Sequence, residues 1–381
     1  MVRVAVNVEQ LLHDAPGGIG RYTAELVRLL PAAGVDVIAF TARHPRAAID
    51  DALRSHDLIG VETVALPLPA PVLYDAWHVL GVGGPLRRVA PVDLVHAPSP
   101  AVPPTGRVPL VVTVHDAAPL TMPDAFTRRG IWFHRRGFAA AAKRARLVIA
   151  VSEFCADEIA QHTAIARPRI RIVPNGVHRE PSSEERVARV RQQLGLDDRP
   201  YLLWVGSGEP RKNVGLLVEA FARLDPAVAP HRLVLVTPDG RLPAVQGRLD
   251  VLGDRVHLLG YVARDQLFAL FAGADLFAFP SRHEGFGIPV LEAMAQSTAV
   301  VCSDIPALRE VAGDAAQFVA VGDVDGWIDA LTTLLSDDAA RADLVARGRD
   351  RVAGYSWERC VEATVAVYRE ALQDRGRASR S

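Results

Sequence analysis

Short apolar runs alternate with helical patterns twice along this chain, and that alternation is its strongest constraint. Residues 3–8, 35–40, 61–66, 94–96, 110–115, 147–151 and 170–173 form a first series of expected strands. A polar, highly charged stretch over 179–198 interrupts the pattern and reads as a linker with a first helix. A second series follows at 201–205, 233–236, 256–259, 275–279 and 300–302. Strands joined through helices run parallel and are covered on both faces, so they read as near-continuous Val, Leu and Ile. Two such series predict an α/β fold of two Rossmann-like doubly wound domains facing a central cleft. The expected domains are 1–178 and 179–355. A terminal helix within 356–374 is expected to pack back on the first domain, and 374–381 reads as a frayed polar tail.

The chain has 381 residues, enough for two full cores. With 49% hydrophobic residues it is not disordered, and a net charge of −1 argues against a globally basic nucleic-acid binder. Three scattered cysteines, Cys155, Cys302 and Cys360, lack metal-ligand spacing and suggest a reducing compartment. No uninterrupted apolar run reaches the ~18 residues of a membrane span. The first residues read as a strand rather than a signal peptide, so a cytoplasmic protein is expected.

The most informative stretch runs from Phe279 to Ala295. A buried strand ends there, Gly285 and Gly287 permit a sharp turn, and Pro289 suits the first turn of a helix. Such a loop aims backbone amides and a positive helix end at one point, which favours an anion. Glu284 on the loop and Glu292 in the helix bracket that point; the plain alternative is a capped helix with two surface glutamates. A second loop, Gly206-Ser-Gly-Glu-Pro-Arg-Lys-Asn213, puts Arg211 and Lys212 at a strand-to-helix junction. Cations at a helix start oppose the helix dipole, and a local violation of this kind often marks function. Two fixed cations there suit a diphosphate.

The first half carries weaker signals. Gly17-Gly18-Ile19-Gly20 reads as the end of a loop over 11–20, before a helix over 21–30. The run fails the dinucleotide fingerprint, because Thr23 replaces the third glycine and no acid ends the second strand. His115-Asp116 ends a strand at the edge where open α/β sheets bind ligands. His115 is either a local hydrogen-bonding residue or a catalytic one; Asp116 either orients it or caps the turn. Asp323-Val324-Asp325 resembles a metal-binding triplet but reads as turn and cap chemistry before a long helix. Residues 125–152 hold seven bases and no acid, interleaved with Trp132, Phe133 and Phe138. That segment is either a solvated helix face or a surface for anionic lipid or a phosphorylated acceptor.

Glu284, seven residues, then Glu292, with Gly-Phe-Gly-Ile-Pro between, resembles the E-x7-E signature of retaining glycosyltransferases of family 4, which have the GT-B architecture. Pro210-Arg-Lys-Asn213, Pro174-Asn-Gly-Val177, His115-Asp116 and Gly17–Arg21 fit the same family, and His178 departs from its usual Asp. The resemblance covers nearly the whole chain and is most specific in the second half.

It implies transfer of a sugar from a nucleotide-diphosphate donor to an acceptor hydroxyl with the α configuration kept. The implied donor-binding residues are Gly17, Gly18, Arg211, Lys212, Glu284, Gly285, Phe286, Gly287, Ile288 and Glu292. Glu284, His115, Arg211 and Lys212 are the implied catalytic ones, with no metal or other cofactor. Glu292 is expected on the ribose and Glu284 on the sugar. The acceptor is expected to be a saccharide, a lipid-linked molecule or a small molecule, with peripheral membrane contact, and nucleic acid is not expected as a partner. The runs Pro306-Ala-Leu-Arg-Glu310 and Gly313-Asp-Ala-Ala316 look like the mannosyltransferase branch and point to GDP-mannose. The alternatives are a sugar-nucleotide epimerase of the same architecture and a catalytically inactive sugar-nucleotide-binding protein.

Overall fold

A computed structural model describes residues 1–13, 16–196, 198–227 and 229–378. The chain divides into two compact units, Met1–Gly176 with Trp357–Ser381, and Val177–Ser356.

Among the described residues, the first unit is built on a seven-stranded parallel sheet. Its strands are β1 Val2–Asn7, β2 Val35–Thr41, β3 Glu62–Ala65, β4 Leu94–Ala97, β5 Leu110–Val114, β6 Leu147–Ala150 and β7 Ile170–Ile172. They are ordered β3-β2-β1-β4-β5-β6-β7, so the winding reverses between β1 and β4. The second unit carries a six-stranded parallel sheet. Its strands are β8 Tyr201–Val205, β9 Arg232–Val236, β10 Val256–Leu259, β11 Leu276–Phe279, β12 Ala299–Ser303 and β13 Gln317–Val319. Their order is β10-β9-β8-β11-β12-β13, with the reversal between β8 and β11. Ligands of open α/β sheets bind beyond the carboxyl ends of the strands at such reversals.

The central strands are fully buried, which is why they read as apolar runs: β5 and β11 expose no residue. Side-chain caps set several helix starts. Ser152 accepts from the Cys155 amide, Thr127 from that of Gly130, and Asp323 from that of Gly326 at 2.9 Å. Asp323 therefore performs the cap chemistry read from the sequence.

The helix Trp357–Ala378 belongs to the first unit. Its Trp357, Cys360, Val361, Val365, Tyr368 and Ala371 join the same core as Val4, Val6, Leu94 and Ile149. It runs past residue 373, where the sequence suggested its end, and residues 379–381 of the expected tail lie outside the described residues. No helix among the described residues is long and apolar enough to cross a membrane.

The glycine run of the first half is corrected. Gly17 and Gly18 do not end a loop; they open the helix Gly17–Leu29, which starts four residues earlier than expected. The Gly20 amide donates to the Pro16 carbonyl at 3.0 Å, closing a helical turn over the run. A Cβ on Gly20 would lie 2.2 Å from the Pro16 Cβ, so only glycine lets this turn close. Between β1 and this helix stands a short 3-10 turn, Glu9–Leu12, and residues 14 and 15 of the expected loop lie outside the described residues.

Candidate active site

In the second unit the loops after β8 and β11 leave adjacent strands on either side of the reversal. The β8 loop carries a 3-10 turn, Pro210–Lys212, and Asn213 takes a left-handed conformation (φ 53°) before the helix Val214–Ala222. Arg211 and Lys212 thus sit on their own tight turn rather than at a helix start. Asn is among the side chains that tolerate such a φ best. The β11 loop is tied to this turn, since the Arg282 amide donates to the Arg211 carbonyl at 2.7 Å.

The two motifs converge on one carboxylate. Lys212 Nζ donates to Glu284 Oε1 at 2.6 Å, and Arg211 Nη1 reaches Glu284 Oε2 at 3.4 Å. The side chains of Lys212 and Glu284 are only 13% and 9% exposed. Burial alone would raise the Glu284 pKa, but the Lys212 and Arg211 charges outweigh it and hold the carboxyl below its usual range. Glu284 is therefore ionised at neutral pH. Glu209 accepts from Arg211 Nε at 2.7 Å and steers the guanidinium, and Lys212 Nζ lies 5.3 Å from the centre of the Phe279 ring. Neither Glu209 nor Phe279 was singled out from the sequence, although both lie inside the motifs.

Gly287 takes φ +107° at the N-cap of the helix Ile288–Ala295, and a Cβ there would strike Leu308 Cδ2 at 2.5 Å. Glycine is required on both counts. Gly285 precedes buried Phe286, whose ring meets Tyr355 edge-on at 5.9 Å, and Ile288 is buried as well. Glu292 lies on the fifth residue of that helix and is buried, as is Glu284, so these are not two surface glutamates.

In the first unit His115 stands just past the end of β5, at the sheet's carboxyl edge. Its Nε2 lies 3.0 Å from the Pro98 carbonyl. A carbonyl only accepts, so Nε2 carries the proton and Nδ1 keeps its lone pair. Burial pulls the His115 pKa down to about 4, outweighing the Pro98 carbonyl and Asp116. The ring is thus neutral near pH 7 and can accept a hydroxyl hydrogen at Nδ1, but it is a poor acid. Asp116 does not orient the ring through a hydrogen bond; it caps the following turn, accepting from the Ala118 amide at 3.1 Å.

The support around His115 was not legible. The Tyr22 ring meets it edge-on at 4.9 Å, and the Tyr22 hydroxyl lies 3.0 Å from Thr113 Oγ1. Thr113 also bonds His96 Nε2 at 2.8 Å, and His96 Nδ1 reaches the Tyr368 hydroxyl at 2.6 Å. Tyr368 stands 272 positions away in sequence on the terminal helix. Gly17 and Gly18 are exposed at the start of the helix that also carries Tyr22, where first-turn amides lack helical partners.

Residues 199–337 match the family described as Glycosyl transferases group 1, and residues 16–180 match Glycosyltransferase Family 4. O-antigen chain mannosyltransferase B of Escherichia coli is 29% identical over 370 residues, which cover 92% of this chain and 96% of that protein. Sucrose-phosphate synthase of Thermosynechococcus elongatus shares the fold with a TM-score of 0.79 at 22% identity, over 98% of this chain and 100% of that one. Alr3699/HepE of Anabaena, solved with UDP and glucose, gives a TM-score of 0.76 at 19% identity, over 97% of this chain and 100% of that one.

Proposed function

This chain belongs to the group 1 glycosyltransferases of the family 4 type, with GT-B architecture, and from that premise we propose that it moves a hexose from a nucleotide-diphosphate donor to an acceptor hydroxyl with retention. It is an enzyme of the hexosyltransferase class. The observation that carries the finer reading is the convergence of Lys212 and Arg211 on Glu284 where the sheet winding reverses.

The reaction breaks the bond between C1 of the sugar and a phosphate oxygen. Negative charge builds on the departing diphosphate, and fixed cations facing it lower the barrier most. Lys212 and Arg211 are held for that task, so the reading needs no metal ion. Glu284 is ionised and bound to two cations, which suits a hydrogen-bond acceptor for sugar hydroxyls better than a nucleophile. We therefore favour front-face displacement: the acceptor oxygen bonds to C1, and its proton passes to the leaving phosphate oxygen. Glu292 is assigned to the ribose hydroxyls. His115 is assigned to the sugar as an acceptor through Nδ1, and the first unit to the acceptor substrate, a saccharide, a lipid-linked molecule or a small molecule.

GDP-mannose is the first donor to test. The O-antigen relative is named a mannosyltransferase. Leu308, within the mannosyltransferase-like run, packs directly against the Gly287 turn. A panel of nucleotide sugars and free nucleoside diphosphates should be screened by thermal shift. A true ligand at a hundredfold excess over its Kd stabilises by about 2.7 kcal/mol. Incubation with the stabilising donor should then release nucleoside diphosphate only when an acceptor is added. Isomerisation of the donor without acceptor would make the protein an epimerase, and no stabilisation by any nucleotide would sink the reading.

A further inference from the structure

The helix Arg128–Arg144 sorts its residues cleanly. Gly137, Phe138, Ala140 and Ala141 are buried on one side. At about 100° per residue, Arg128, Trp132, Arg135, Arg136, Ala139 and Lys143 fall within roughly a 100° arc on the other, with Arg129 at its border. The bases of that arc are all exposed, and Trp132 is half-buried among them. The guanidinium carbons of Arg129 and Arg136 lie 4.9 and 5.8 Å from its ring centre. Of the three aromatics noted in the sequence, Phe138 is core, and Phe133 packs on Tyr74 and His78. Only Trp132 shares the basic face.

A second feature lies alongside. The segment Ala70–Leu80, a helix continued by a π-turn, is pinned to the basic helix by the Arg129–Asp75 ion pair at 2.8 Å and by the Phe133 contacts. Leu73 and Trp77 point into the core. Val72, Val79, Leu80 and Val82 instead stand in solvent, Leu80 at 70% exposure. Nine large hydrophobic side chains are exposed among the described residues, and these four fall within eleven consecutive positions. Such clustering marks an interaction surface rather than scattered exposure.

We propose that this combined face docks the enzyme on an anionic lipid bilayer. Four bases spread along one exposed helix face about 25 Å long do not converge on one phosphate, but they match a plane of headgroups. The aliphatic side chains beside them add what a phosphate-only partner does not use: apolar surface that enters the headgroup–acyl boundary. This inference is independent of the donor reaction, since all its residues lie in the first unit, whereas the Lys212–Glu284 pair belongs to the second.

The test uses the full-length enzyme and vesicles of phosphatidylglycerol or phosphatidylcholine at low and high salt. Sedimentation with phosphatidylglycerol at low salt, weakened by salt and absent with phosphatidylcholine, is expected. Replacing Arg128, Arg135, Arg136 and Lys143 together by Gln should weaken partition several hundredfold, about fivefold per charge. Leu80→Ser with Val82→Ser should weaken it about tenfold or more. Turnover on a soluble acceptor should be unchanged in both variants. The other tryptophans, Trp77, Trp204, Trp327 and Trp357, are buried, so quenching by brominated lipid reports Trp132 and should appear on binding. No sedimentation with pure phosphatidylglycerol at low salt overturns the proposal, as does binding that the four-Gln variant retains. Binding that needs the four charges but ignores the serine pair, with inorganic phosphate competing, makes the face a phosphate site and overturns the bilayer assignment.

Discussion

Replacing Lys212 by Met separates a structural role from a chemical one. The Lys212–Glu284 contact at 2.6 Å is nearly dry, so its loss strands a buried carboxylate. Breaking a buried pair from one side costs about 3–5 kcal/mol, and the lower end applies because Arg211 still faces Glu284 at 3.4 Å. About 3 kcal/mol in a unit of this size lowers its Tm by roughly 6–12 °C. Turnover should fall by about 10²–10³, the scale for losing one preorganised partner of developing charge. Glu284→Gln combined with Lys212→Met removes the stranded charge, so stability should return to near the wild-type value while turnover stays low. Thermal unfolding of the two single variants and the double variant, beside acceptor-dependent diphosphate release, reads both axes. If turnover recovers along with stability in the double variant, Lys212 serves only to neutralise Glu284, and its assignment to the leaving group is wrong. Less than a tenfold loss in Lys212→Met has the same consequence.

Glu292→Ala should weaken binding of the free nucleoside diphosphate severalfold, whereas Glu284→Ala should leave it unchanged or tighter by freeing Lys212; calorimetric titration decides, and equal losses would contradict the division between ribose and sugar. Activity should survive excess EDTA, because two protein cations take the metal's place; full loss restored by Mg²⁺ or Mn²⁺ would refute that assignment. The buried histidines set an acid limit on the first unit. Burial, with the His115 charge added, lowers His96 to about 3, and burial lowers His115 to about 4, so between those values and about 6.5 the unfolded chain binds protons that the folded one does not. Stability is then full above about pH 6.5 and falls as pH drops, by about 1.4 kcal/mol per pH unit for each histidine near pH 5. His96→Gln should cut the proton uptake on unfolding at pH 5 by nearly one; an unchanged pH slope would show that His96 titrates normally.

The framework was legible where burial left a one-letter signature. Strands such as β5 and β11 are covered on both faces, so their composition alone reports them. β13 went unseen because it is a three-residue edge strand, Gln317–Val319, with its first residue exposed, too short and too mixed to show a period. The glycine run failed for the opposite reason. Glycines signal a loop by propensity, but the Pro16–Gly20 hydrogen bond winds this run into a helical turn, and the bare Cα of Gly20 lets that turn close against Pro16. His115 was visible as a residue at a strand end. Its tautomer was not, because the Pro98 carbonyl that fixes it comes from the neighbouring strand's end.

The paired cations and Glu284 show where local reading stops and topology takes over. Each motif advertises its own chemistry: two bases on a tight turn, one acid beside two glycines. Nothing in either motif says that they meet, and 72 positions separate Lys212 from Glu284. Their meeting follows from strand order. β8 and β11 are hydrogen-bonded neighbours although β9 and β10 intervene in sequence, so the loops leaving their carboxyl ends must emerge side by side. A backbone bond from the Arg282 amide to the Arg211 carbonyl, at 2.7 Å, then ties the two loops together. That spacing sets a 2.6 Å ion pair, which holds the Glu284 carboxyl below its usual range in a site where burial alone would raise it. A shift of even 1 Å between the two loops would loosen that pair, so substitutions at the β8–β11 junction should impair catalysis without touching a catalytic side chain.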